Sequence, residues 1–253
     1  MRVACKLCKQ RRRTLTVSLS RRAVVRNRPK AVGGEIPEEE VAKTTVTTPS
    51  KPLKRPSQAR ARFTMQAIYD AFVRIWQTQG WAGVTTRALA LETGIAVGTL
   101  YDYFPNKQAV LSGYVRHCVE QLLDCLQQQV IEAPGLDWRQ RVQRLVALTC
   151  GAQQAGLAYF DHDMLMLENQ IAETKHHSRV YQELLQKWQA AFSACTDMPR
   201  HPADATVQAL LLAAWGGRRY VLLVQPEGMG LQQWSAEMAR LWCGMLEQAP
   251  GNP

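Results

Sequence analysis

The sequence predicts an all-α protein of about nine helices. From Ser57 to the C-terminal end, apolar residues recur at three- and four-residue steps, the period of a helix face. Breaks fall at Gly80–Gly83, Gly94, Pro105, Pro134–Gly135, Pro199–Pro202, Pro226–Gly230 and Pro250, and they cut the chain into pieces of ordinary helix length. No run alternates apolar and polar residues as a half-buried strand does. Three segments are expected: a disordered basic tail over 1–55, a three-helix N-terminal domain over 56–106 and a helical C-terminal domain over 107–253.

The tail is set apart by charge. Residues 1–55 hold 15 Lys and Arg against 4 Asp and Glu, a charge of +11. The remaining 198 residues hold 16 basic and 17 acidic groups, a charge of −1, so the net +10 belongs to the tail. The stretch TTVTTPSKPLKRP from Thr44 to Pro56 is too polar to hold a fold. Arg11–Arg13 and Arg21–Arg28 can grip phosphates without sequence preference. A solvated extension or an upstream start codon would leave the same pattern. Cys5 and Cys8 are half of a zinc site, and no second pair at ligand spacing follows. The seven cysteines are odd in number and widely spaced, as in a reducing cytosol. Cys118 and Cys125 stand seven apart, on one helix face, and are expected as small buried hydrophobes. No run of about 18 apolar residues occurs, so no transmembrane helix is expected.

The first body helix is expected over Ala59–Gly80. Ser57 caps it, and Phe63, Ala67, Ile68, Ala71, Phe72 and Ile75 form its apolar face. Then comes TTRALALETGIAVGTLYDYFPNK, from Thr85 to Lys107. Thr85 caps a helix over Thr86–Thr93, and Gly94 permits the sharp turn after it. Leu89, Ala90 and Ile95 face a small core. A second helix follows over Val97–Phe104, with Leu100 and Phe104 pointing inward and Val97, Gly98, Thr99, Tyr101 and Tyr103 on the outward side. Two helices joined by such a turn are a helix-turn-helix, whose second helix enters the DNA major groove. Gly98 lets the backbone approach the duplex. The Thr99 and Tyr103 hydroxyls can donate to phosphate oxygens. Tyr101 can bond a phosphate or lie against a thymine methyl. Lys107 opens the next helix, where its charge and the exposed amides favour a phosphate.

These residues resemble the tetracycline-repressor family of bacterial regulators. The likeness rests on the helix from Ala59, on T-T-R-A-L-A from Thr85 and on G-T-L-Y-D-Y-F-P-N-K from Gly98 to Lys107, and it covers about 60 residues. The resemblance implies that Thr86 and Arg87 contact the DNA backbone and sometimes a base, that Val97, Gly98 and Thr99 open the recognition helix, and that Tyr101, Tyr103 and Lys107 anchor phosphates. Ala96 departs from the family's Ser or Thr cap, and Asp102 puts a negative charge near DNA. Arg60 and Arg62 can add phosphate contacts.

The resemblance also implies a C-terminal domain that dimerises and holds an effector. A fourth helix, from Lys107 to about Val130, would link it to the reading unit. Candidate effector residues are His117, Trp138, Tyr159, Phe160, Met164, Met166, Tyr181 and Trp188, which are apolar or aromatic groups with some polar ones. Asp161-His162-Asp163 and His176-His177 suggest metal ligation, but adjacent helical residues do not face one site, so solvent is their expected place. The last two helices, Ala203–Val224 and Leu231–Gln248, are the expected dimer surface. Ala209, Ala213, Gly216 and Gly217 allow close approach, and Trp215, Trp234 and Trp242 offer area.

The resulting expectation is a homodimeric, bacterial, cytoplasmic and nucleoid-associated regulator. It binds double-stranded operator DNA and is released by a small-molecule effector, with no cofactor, metal or membrane partner. No catalytic motif of the G-x-S-x-G, Walker or H-E-x-x-H type occurs, so no enzyme is expected. An effector-independent structural DNA-binding protein of the same fold is the alternative. A helical enzyme or sensor without DNA binding is a third reading, against which Thr99, Tyr101 and Lys107 argue.

Overall fold

The computed structural model describes residues 59–152 and 156–248. The basic tail, the Cys5–Cys8 pair and the Ser57 cap lie outside the described residues. Among those described there are nine α-helices and no strand. None of these helices is long and apolar enough to cross a membrane.

The first helix, α1 (Ala59–Gly83), breaks its helical geometry at Gly80, which takes a φ of 63°. Met65, Ile68, Tyr69, Phe72, Ile75 and Trp76 form its buried stripe. Phe63 was expected on that stripe but is 78% exposed. It stands two residues before Met65, about 200° round the helix, on the opposite face. Helix α2 (Thr86–Thr93) starts at Thr85, whose Oγ1 accepts from the Ala88 N–H at 3.0 Å. It ends at Gly94 with a φ of 72°. Helix α3 (Val97–Tyr103) has no side-chain cap, because Ala96 has no oxygen to offer. Helix α4 (Lys107–Leu126) is capped by Asn106, whose Oδ1 accepts from the Ala109 N–H at 2.8 Å.

The helix expected to run on to Val130 instead closes in a π-helical turn, Gln127–Ile131. Two arginines of α5 (Trp138–Thr149) satisfy its carbonyls. Buried Arg141 donates to Val130 and Ile131, and Arg144 donates to Gln129 at 3.2 Å. Asp137 and Gln140 form a reciprocal capping box at the start of α5. Beyond it come α6 (His162–Met166), a 3₁₀ turn (Glu168–Gln170), α7 (Thr174–Ser193), α8 (Asp204–Val224) and α9 (Leu231–Gln248).

Two hydrophobic cores hold these helices. The first joins α1, α2, α3 and the start of α4, and takes in Met164 and Ile171 from further along the chain. The second joins the end of α4 to α5, α7, α8 and α9 around Trp188, Trp138 and Trp242. Helix α4 contributes Val110, Leu111 and Tyr114 to one core and Leu122, Cys125 and Leu126 to the other. It is the beam shared between them.

A strap over residues 156–161 lies along this beam. The Gly156 carbonyl accepts from the Cys125 thiol at 3.4 Å. The Tyr159 carbonyl accepts from the Tyr114 hydroxyl at 2.6 Å and from the Cys118 thiol at 3.8 Å. Cys118 and Cys125 thus share a face as their spacing predicts, and that face carries the strap. Asp161 closes it. One carboxylate oxygen accepts from the Trp76 indole N–H and the Tyr159 hydroxyl, each at 2.8 Å, and the other caps α6 at the Met164 N–H, 2.9 Å away. Asp161 was expected in solvent, but its neighbours supply three donors, so it ties the strap to α1.

Candidate nucleic-acid interface

Helices α2 and α3 pack through Leu89, Ala90, Leu100 and Phe104, all buried. This leaves a polar outer surface. Arg87, Gly98, Thr99 and Asp102 are exposed, Thr86 is half-buried, and Val97 and Tyr101 are 42% and 47% exposed. The Thr86 and Tyr101 hydroxyls lie 3.3 Å apart, so one hydrogen bond spans the two helices. Arg60 and Arg62 are exposed in the first turn of α1. On the flank, Arg74 pairs with Glu92 at 2.7 Å, which spends one positive charge within the domain.

Tyr103 is not on the outward side. It is 9% exposed and belongs to the first core. Leu100, Tyr103 and Phe104 stand at i, i+3 and i+4, so on a seven-residue helix they form one inward stripe. Lys107 is half-buried, and its Nζ donates to the Trp81 carbonyl at 3.2 Å and lies 4.1 Å from the centre of the Trp81 ring. An ammonium has three donors, so a phosphate can still be bound from the open side.

The unit therefore has a capped first helix, a left-handed glycine turn and a short second helix with an exposed face of small, hydroxyl-bearing and aromatic groups. Residues 62–113 match the family described as "Bacterial regulatory proteins, tetR family". These residues are a tetR-family domain. The domain takes in α2 and α3, nearly all of α1 and the first turns of α4.

No curated protein matches the chain by sequence. Solved structures show where its fold recurs. A transcriptional regulator of the TetR/AcrR family from Thermobifida fusca YX-ER1 is 14% identical, with a TM-score of 0.53 over 74% of this chain and 98% of that one. The fatty acid degradation regulator FadR from Bacillus halodurans is 17% identical, with a TM-score of 0.52 over 79% and 99%. FadR from Bacillus subtilis, in complex with stearoyl-CoA, is 13% identical, with a TM-score of 0.51 over 74% and 99%. At such identities the shared property is the helical fold, which reaches well beyond the tetR-family domain.

The residues expected to hold an effector do not converge. Trp138 and Trp188 are packed in the second core, with half-buried Tyr181 against it. Met164 is fully buried in the first core, and half-buried Phe160 packs on that core. His117 stacks on Tyr69 with ring centres 4.9 Å apart, and burial holds its pKa below the ordinary value. Tyr159 is 40% exposed, with its hydroxyl on Asp161, and Met166 is 54% exposed. An open groove of about 630 Å³ runs between α5 and α9 past Gln143, Ala147, Ala239, Arg240 and Glu247, and none of the expected residues lines it.

The expected dimer residues also divide. Ala209, Ala213 and Gly216 are exposed, and Trp215 and Trp234 are half-buried. Trp242 is buried inside the protomer, edge-on to Trp188 at 6.1 Å, so it offers little surface to a second chain. Leu212, Tyr220, Leu241 and Met245 are instead 58%, 67%, 48% and 45% exposed. Arg218, an arginine inside a largely apolar helix, is half-buried beside Phe160 and Trp215.

Proposed function

We propose that the protein is a homodimeric transcriptional regulator that binds an operator through α3 and is released from it by a small-molecule effector, in the manner of a repressor. The observation that carries this reading is the exposed surface of Val97, Gly98, Thr99 and Tyr101 on a helix whose other face is fully packed. A surface helix that only completed a core would have no need of this set. In the proposed complex α3 lies in the major groove and Thr99 and Tyr101 meet phosphate or base edges. Thr86, Arg87 and Lys107 hold the backbone on either side.

A second chain is part of the reading. A single seven-residue helix reads only a few base pairs, and twofold pairing doubles the site. The stripe Ala209, Leu212, Ala213, Gly216 and Tyr220 on α8, with Leu241 and Met245 on α9, supports a symmetric interface there. The stearoyl-CoA held by a neighbour of the same fold supports response to a ligand. The regulatory domain then begins at Lys107, and the basic tail adds non-specific grip.

The test is a gel-shift at fixed salt against an operator selected from random DNA. Tyr101→Ala and Lys107→Ala are expected to weaken binding by about 10- to 100-fold while helical content is kept. Unchanged affinity in both would remove α3 from the groove.

A further inference from the structure

Among the described residues, Arg218 in the C-terminal half meets no carboxylate. Arg219 pairs with Glu168, and Arg116, Arg139, Arg179 and Arg240 each meet a glutamate. Arg141 and Arg144 donate to backbone carbonyls. Arg218, in the middle of α8, is half-buried and neither hydrogen-bonded nor ion-paired to any described residue. Its guanidinium carbon lies 5.1 Å from the centre of the Phe160 ring and 5.2 Å from that of Trp215. A Cβ on Gly151 would come 3.6 Å from its Nε, so the turn after α5 passes close beside it.

The ionisable groups that bear on Arg218 are Cys118 and Cys150. Burial pushes both thiols up to about 12, so neither supplies a negative charge near neutral pH. Burial likewise draws Arg218 below its ordinary pKa, but an arginine stays charged. The result is a cation beside two aromatic rings and within electrostatic range of two neutral thiols, with no anion facing it among the described residues. An unmatched charge in such surroundings is unfavourable and is relieved by a bound anion.

We propose that Arg218 anchors a binding site for a small organic acid, its carboxylate in the guanidinium fork and its apolar body against Phe160 and Trp215. A planar fork matches a carboxylate with two parallel hydrogen bonds. A single cation suits a single negative charge. The nearby Gly151 N–H already donates to the Leu148 carbonyl and is not free for a dianion. The ligand also touches the strap, because Phe160 stands between Tyr159, held by Tyr114 of α4, and Asp161, held by Trp76 of α1. Occupancy of the site would therefore bear on the tetR-family domain. That consequence, though not the site itself, rests on the effector reading above.

The experiment is calorimetric titration of the full chain with benzoate and octanoate. Benzamide and octanamide serve as uncharged counterparts and inorganic phosphate as a dianion. At least one carboxylate is expected to bind at least about tenfold more tightly than its amide and than phosphate. Arg218→Met should abolish that preference and melt no lower than the free wild type, which shows that it folds. Arg218→Lys should keep the charge but lose most of the affinity. The site is refuted if no carboxylate binds, if amide or phosphate binds equally well, or if Arg218→Met binds as the wild type does. A gel-shift in parallel separates the two readings. A carboxylate that binds through Arg218 and leaves the DNA complex intact upholds the site and overturns effector release.

Discussion

Gly216 and Gly217 are neighbours in α8 with opposite surroundings. A Cβ on Gly217 would stand 2.1 Å from Cζ2 of Trp234, so α9 lays its indole directly on the α8 backbone. A Cβ on Gly216 would meet nothing within 4 Å. Gly217→Ala is therefore expected to lower stability by about 1–3 kcal/mol through overpacking. Within one chain, Gly216→Ala meets no neighbour and can add up to ~1 kcal/mol of helix propensity. Urea midpoints at matched slope measure both, and equal loss at the two sites would contradict the packing. At this scale the sequence was informative where local chemistry decides, as at the Thr85 cap and the Gly94 turn. It misled where a polar tip disguised a buried body: the Tyr103 hydroxyl suggested solvent, while its position three residues after Leu100 put the ring inside.

Among the elements, α4 and the strap carry the connection between the two cores. The indole of Trp76 reaches Asp161 across 85 residues of sequence, and the same carboxylate starts α6. Trp76→Phe keeps most of the ring volume and deletes the donor. It is expected to lower stability by about 1 kcal/mol and to weaken the effect of any ligand on DNA binding more than DNA binding itself. Thermal unfolding and a ligand-dependent gel-shift measure the two quantities, and full ligand response in the variant would take the strap out of the connection. Helices α1, α2, α8 and α9 were legible because each repeats a local pattern of caps, breaks and periodic apolar residues. The strap has no period. It is defined by partners at Tyr114, Cys118 and Trp76, each more than 40 residues away, and no window of sequence shows such a meeting.

For the whole molecule, the proposed dimer is tested at the face that would meet a second chain. The large apolar side chains left exposed on α8 and α9 are Leu212, Tyr220, Leu223, Val224, Leu241 and Met245. Leu212→Glu should leave the protomer folded, because that side chain is already 58% exposed, while placing two like charges near a twofold axis. Monomers in light scattering are expected, with operator affinity lower by on the order of 100-fold as the second half-site contact is lost. A dimer that survives this change would move the interface elsewhere. Charge distribution belongs to this scale too. With +11 in residues 1–55 and −1 in the rest, the proposed DNA complex draws its specificity from a few hydroxyls and cations on α2, α3 and α4. The proposed anion site escaped sequence reading for the same reason as the strap: its residues Phe160, Trp215 and Arg218 come from distant segments that meet only in the fold.

The ammonium of Lys107 rests over the ring of Trp81 and bonds its carbonyl. Indole emission responds to the electric field across the ring, and a cation 4.1 Å from its centre is a strong local source. A phosphate that draws Lys107 away from the ring changes that field at the edge of the DNA-reading unit. If Lys107 anchors the operator backbone as proposed, Trp81 is a built-in fluorophore whose emission reports that contact.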